Sequence, residues 1–267
     1  MLNAKNNKIL IDDVETTYIS FGSGNKPLIL IPGLADGIKT VEGAALPFAW
    51  LYRVFAKDFT VYVVSRKDVL QEGYSTRDMA SDLSKFMDQL SIEKASVVGI
   101  SQGGMIAQFL AIDYPEKVDK LALVVTMARS NNIIEDAVNT WMEMARKGEY
   151  RELLRDSMER GSDPKIYKRR KILFKFVPKE SSKFNKERFL IQAQSCIDHN
   201  SYDELHKIKA TTLILGGEVD RVLGGQASYE LAEKISSSTL KMYKEHGHAL
   251  YEEAKDINRV LMDFLKK

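Results

Sequence analysis

The stretch Val97-Val98-Gly99-Ile100-Ser101-Gln102-Gly103-Gly104-Met105-Ile106-Ala107-Gln108 decides how this chain folds. Ala95–Val98 reads as a strand, and the apolar run from Met105 to Ala111 reads as a helix. Gly99 and Gly103 lie two residues either side of Ser101. Glycines there let a turn tighten until a serine hydroxyl stands clear of a sheet. The segment therefore predicts strand, tight turn and helix, with Ser101 at the apex.

Outward from this turn the same alternation repeats. Leu28–Ile31, Val61–Val64 and Leu121–Val125 are apolar runs expected of strands covered on both faces. Phe48–Phe55 reads as a helix, and Thr76–Leu90 sets Met79, Leu83, Phe86, Met87 and Leu90 at helical spacing. Lys8–Asp12 and Glu15–Ser20 alternate as a hairpin does. From about Met127 to Lys207 charge density rises and helical periods dominate. Alternation then resumes with strand Thr212–Leu215, helix Gln226–Ile235, strand Thr239–Tyr243 and helix Glu252–Leu265. This pattern predicts an α/β fold with a mostly parallel central sheet flanked by helices. The expected core spans residues 1–126 and 209–267, with a helical cap at 127–208 inserted after the sixth strand.

Bulk properties narrow the function classes. A chain of 267 residues can bury one large core. A net charge of +2, with 44% hydrophobic and 28% charged residues, gives no expectation of nucleic acid or a membrane as partner. The amino-terminal residues have no apolar stretch behind their lysines, so no signal peptide is expected. No run approaches the roughly 20 apolar residues that span a bilayer. The single cysteine, Cys196, excludes an internal disulfide and most cysteine-based metal sites. A cytoplasmic monomer or homodimer without metal or cofactor is expected, with Cys196 an inert buried thiol.

Serine is a poor nucleophile until a base takes its proton, and the base is usually histidine. Of the 4 histidines, His246 and His248 follow the strand Thr239–Tyr243. Two acids, Glu218 and Asp220, follow the strand Thr212–Leu215, whereas Met127-Ala128-Arg129-Ser130 offers none after Leu121–Val125. These loops lie on the carboxyl side of their strands, where open α/β sheets place their sites. Position alone leaves His246 beside His248, and Glu218 beside Asp220. His199 and His206 fall in the helical segment and read as packing or surface residues.

With these pieces in place the chain resembles the α/β-hydrolase superfamily over nearly its whole length. Gly99–Gln108 is similar to the nucleophile elbow of small bacterial esterases and enol-lactone hydrolases. Gly217-Glu218-Val219-Asp220-Arg221-Val222 resembles the acid loop, and Gly247-His248-Ala249-Leu250-Tyr251-Glu252 the base loop. The resemblance implies Ser101 as nucleophile, Asp220 as the orienting acid and His248 as the base. It places two oxyanion-binding backbone N–H groups at Gln102 and, after Leu28–Ile31, at Leu34. Two departures stand out. Pro32-Gly33 replaces a frequent His-Gly, and Ser65-Arg66-Lys67-Asp68 stands where relatives often carry Asp-x-Arg-Gly-x-Gly.

A serine at the elbow implies acyl transfer, because relatives resembling dehalogenases and epoxide hydrolases carry aspartate there. The expected activity is a cofactor-free serine hydrolase acting on a small carboxylic ester or related acyl compound. C–C bond or enol-lactone hydrolysis would use the same residues, and a receptor or regulatory partner on this fold would bind without turnover. Met105, Trp141 and Val222 are candidate pocket residues, although Trp141 with Met142 and Met144 also fits plain core. The run Lys165–Lys171 reads as a solvated helix face, or as an attractor of an acidic substrate or a carrier-bound thioester.

Overall fold

The apolar runs of the sequence become strands of one eight-stranded sheet. They are β1 (Lys5–Ile11), β2 (Val14–Gly22), β3 (Lys26–Ile31), β4 (Phe59–Val64), β5 (Ala95–Ile100), β6 (Val118–Val124), β7 (Thr211–Gly217) and β8 (Ser238–Tyr243). The computed structural model describes residues 2–179, 181 and 184–267. The spatial order is β1-β2-β4-β3-β5-β6-β7-β8. Strand β2 runs antiparallel to both β1 and β4, and every other pairing is parallel. The hairpin turns at Asp12 and Asp13, both at positive φ, the conformation of a two-residue turn that matches strand twist.

Eleven helices accompany the sheet among the described residues: α1 (Ala35–Ile38), α2 (Ala45–Leu51), α3 (Thr76–Gln89), α4 (Gln102–Asp113), α5 (Asn132–Lys147), α6 (Tyr150–Gly161), α7 (Pro164–Arg170), α8 (Lys186–Ile197), α9 (Gln226–Lys234), α10 (Leu250–Glu253) and α11 (Ile257–Lys266). Side chains alternate across a strand, so one sequence run feeds two cores. Ile29, Val97 and Leu123 pack with Leu83 and Phe86 of α3 and Ile106 and Leu110 of α4. Leu28, Val98 and Val124 face the other way, onto Ala45 and Ala49 of α2 and Leu261 and Leu265 of α11. Each such fully buried aliphatic side chain contributes about 1.5–3 kcal/mol.

Two helices differ from their expected bounds. Helix α2 begins at Ala45, because Pro47 sits within the first turn, where its missing N–H costs nothing. The terminal helix is split into α10 and α11, since Ala254 is extended and Lys241 of β8 holds Asp256 at 2.8 Å just before α11 starts. Between β6 and β7 the described residues form helices α5–α8 and short 3-10 turns, including Lys171–Phe176. Ile134, Val138 and Trp141 of α5 and Phe189 of α8 pack with Leu34, Met105 and Val222, so this segment rests on the carboxyl edge of the sheet.

Candidate active site

Ser101 occupies the turn from β5 to α4 with φ 54° and ψ −120°. This left-handed backbone is costly for a residue with a side chain and must be held by its surroundings. The Ser101 N–H donates to Val124 O at 2.9 Å, and Thr126 Oγ1 donates to Ser101 O at 2.8 Å. The flanking glycines serve close packing rather than positive φ. A Cβ on Gly99 would lie 2.4 Å from Gly103 O, and one on Gly103 would lie 2.1 Å from Ile31 O. Helix α4 can therefore approach β3 and β5 only with glycine at both positions.

The loops after β7 and β8 bring Asp220 and His248 to this serine. His248 Nε2 lies 3.0 Å from Ser101 Oγ, and His248 Nδ1 lies 2.9 Å from Asp220 Oδ2. A carboxylate beside Nδ1 fixes the proton there and leaves Nε2 as the acceptor facing the serine hydroxyl. Asp220 Oδ1 accepts from the N–H groups of Val222 at 2.7 Å and Leu223 at 3.0 Å. Burial by itself would raise the Asp220 carboxyl, but the adjoining His248 and the two backbone donors outweigh it and hold it below the usual carboxylate value. The alternatives lie elsewhere: exposed Glu218 accepts from Tyr229 at 2.6 Å, and the His246 ring packs edge-on against Tyr243.

The turn faces a cavity of about 470 Å³. Leu34, Met105, Trp141 and Val222 all line it, together with Ile134 and Val138 of α5, Leu153 and Leu154 of α6, and Phe174. Gly33 lies so close to Ser101 that an added Cβ would sit 3.2 Å from the serine Cβ, which puts the Gly33 backbone, just before Leu34, beside the hydroxyl. Gln102 holds the first position of α4, where an N–H has no intrahelical acceptor and the helix dipole favours negative charge. Its side chain turns inward, with Nε2 donating to Gln192 O at 2.7 Å.

A buried charge cluster behind this turn escaped the sequence reading. Asp36 pairs with Arg188 at 2.6 Å and with Arg66 at 3.7 Å, and all three side chains are nearly inaccessible. Charged residues read as surface when taken one at a time, and these three come together only in the fold. The α5 wall of the cavity did leave a signal, since Ile134, Val138 and Trp141 recur at helical spacing. Of the remaining histidines, His199 is buried against Thr76 and Phe109, and His206 is exposed. Neither reaches the cavity.

Comparison with known proteins matches the chain to one family. The family profile for the alpha/beta hydrolase fold matches residues 26–255. The chain is 28% identical over 229 residues to the 2-hydroxy-6-oxo-6-phenylhexa-2,4-dienoate hydrolase of Comamonas testosteroni, covering 81% of this chain and 78% of that one. It is 21% identical over 256 residues to 3-oxoadipate enol-lactonase 2 of Acinetobacter baylyi, covering 96% and 94% of the two chains. Among solved structures, an enol-lactonase from Burkholderia xenovorans superposes with a TM-score of 0.82 at 20% identity, over 98% of this chain and 100% of that one. The chain belongs to the α/β-hydrolase fold family.

Proposed function

We propose that the protein is a serine hydrolase that cleaves a small, uncharged carboxylic ester or related acyl compound through an acyl-enzyme. The observation that carries this reading is the unbroken hydrogen-bonded line Ser101–His248–Asp220 opening into a mainly apolar cavity. In the proposed reaction Ser101 Oγ attacks the substrate carbonyl while His248 Nε2 takes its proton. The oxygen that becomes negative accepts from the Leu34 and Gln102 N–H groups. His248 then protonates the leaving alcohol, and a water activated by the same nitrogen releases the acid. Asp220 keeps the imidazole in the required tautomer throughout.

Helices α5–α8 act as the cap in this scheme, covering residues 127–208 and setting the size of the substrate. One buried cysteine, Cys196, supports a reducing, cytoplasmic setting. The relatives named above favour a second reading, C–C bond or enol-lactone hydrolysis, by the same residues. A dienoate carries a negative charge, however. Arg170, the one lysine or arginine lining this cavity among the described residues, faces Glu252 at 3.5 Å. The lining thus favours a neutral substrate.

The test is hydrolysis of p-nitrophenyl esters from acetate to palmitate by wild type and Ser101→Ala. Turnover that depends on chain length and is abolished in the variant is expected. Wild type no faster than Ser101→Ala across the series would overturn the esterase reading.

A further inference from the structure

Between Pro164 and Lys179 the sequence carries seven lysines and arginines and no acidic residue. The whole chain has a net charge of only +2, so the rest of it is net acidic and this one segment concentrates the positive charge. Whole-chain composition hides that asymmetry, which is why it gave no expectation of a membrane. Helix α7 and the 3-10 turn Lys171–Phe176 present the segment on the outside of the cap. Among the described residues, only Arg170 of the seven cations has an ion-pair partner. Neighbouring acids are already engaged: Asp163 caps α7 by accepting from the Lys165 N–H at 2.7 Å, Glu152 pairs with Arg155 at 2.5 Å, and Glu159 accepts from the Tyr167 hydroxyl.

Large apolar side chains stand out among these free cations. Ile172 is 57% exposed, Leu173 57% and Phe176 84%. Water solvates such side chains poorly, and three within five residues form a cluster rather than scattered singles. Phe174 of the same turn points inward, and with Leu173 it lines the cavity that holds Ser101. The segment is therefore an outer rim of the cavity that is at once basic and apolar.

We propose that residues 164–179 dock on an anionic phospholipid surface and present the mouth of the cavity to it. Lys and Arg beside exposed Phe, Leu and Ile form the combination that settles at a lipid interface, cations on headgroup phosphates and apolar tips among acyl chains. A soluble polyanion would satisfy the cations and leave Ile172 and Phe176 in water. Docking does not depend on the chemistry at Ser101. That an apolar acyl substrate then enters from the lipid side rests on the hydrolase reading.

The experiment is co-sedimentation of the full chain, as wild type and Ser101→Ala, with phosphatidylcholine vesicles and with vesicles containing one third phosphatidylglycerol. Both proteins are expected to bind the anionic vesicles, to leave phosphatidylcholine vesicles unbound, and to weaken in high salt. The variant Lys168→Gln/Arg169→Gln/Lys171→Gln is expected to bind at least about tenfold more weakly. Ile172→Ser/Phe176→Ser is expected to weaken binding even at low salt. Neither set lines the cavity, so both variants should hydrolyse a soluble short ester as wild type does, which also reports correct folding. No binding to the anionic vesicles overturns the proposal. So does binding indifferent to Ile172→Ser/Phe176→Ser with equal affinity for polyglutamate, which would mark a polyanion site. Vesicle binding with no esterase activity would sink the esterase reading alone.

Discussion

Arg66 and Gln102 are joined inside the protein, with Arg66 Nη2 donating to Gln102 Oε1 at 2.8 Å and also to Pro32 O at 2.6 Å. One guanidinium thus ties together the two segments whose N–H groups are proposed to hold the oxyanion. Asp36 bonds to the Arg66 backbone N–H at 3.2 Å and to Arg188 at 2.6 Å. Two buried cations against one anion leave net positive charge behind the donors, where low polarisability lengthens its reach.

Arg66→Lys is therefore expected to lower kcat about tenfold with little change in KM, because the lysine ammonium ends one bond short of the Nη2 that reaches both acceptors. Outright loss of an oxyanion donor costs roughly 10²–10³-fold, so a loosened pair should cost less. Steady-state kinetics on a short ester, with a thermal melt to follow folding, tests this. A folded Arg66→Met that keeps the wild-type kcat, or a change confined to KM, would contradict the clamp.

Ser101→Ala is expected to remove hydrolysis, and Asp220→Asn to lower kcat by about 10⁴-fold with a modest change in KM. An amide beside His248 Nδ1 can donate a hydrogen bond, which permits the tautomer with its proton on the wrong nitrogen. Single-turnover measurements on the same ester check both variants. An Asp220→Asn enzyme of near-wild-type kcat would mean that another carboxylate orients His248.

Much of this site could be read in advance, for a physical reason. The turn at Ser101 needs glycine at Gly99 and Gly103 because helix and strand approach to within contact of their backbones, and such positions leave fixed marks in a sequence. The relation between Arg66, Asp36 and Arg188 leaves none, because each sits in a different segment and is buried only by the partners it meets. Sequence reading noticed Ser65-Arg66-Lys67-Asp68 only as a departure from a motif. It took the glycines as what lets the turn tighten; the structure adds that they admit close backbone packing while the positive φ falls on Ser101 itself. Patterning reports how densely atoms must pack; it does not report which distant charges neutralise one another.

Buried His199 should make the fold sensitive to mild acid. Burial pushes its imidazole down to about 3 from an ordinary value of 6.5. Below the ordinary value the unfolded chain takes up a proton that the folded chain refuses, so stability falls as pH drops from 6.5 towards 3. The slope from this one group approaches 1.4 kcal/mol per pH unit, on the order of a tenfold shift in the folding equilibrium. Urea unfolding of wild type between about pH 6.5 and 4.5, above the range where most carboxylates titrate, should show this loss. His199→Gln should flatten it. A wild-type curve with no slope in that window would place the histidine's folded-state value near its ordinary one.

The α5 wall of the cavity offers a test of what measures the substrate. Val138 is fully buried and lines the cavity between Ile134 and Trp141, one helical turn from each. Val138→Phe places a ring in that space and leaves Ser101, His248 and the proposed oxyanion donors unsubstituted. Each methylene that no longer fits costs about 1–3 kcal/mol of transition-state binding, or roughly 10–200-fold in kcat/KM. Longer p-nitrophenyl esters should therefore lose at least about tenfold relative to acetate. Overpacking lowers stability by about 1–3 kcal/mol, which a melting curve would register separately. If long and short esters slow by the same factor, the acyl chain does not run along α5. The part of the lining formed by Leu153, Leu154 and Phe174 would then be where chain length is read.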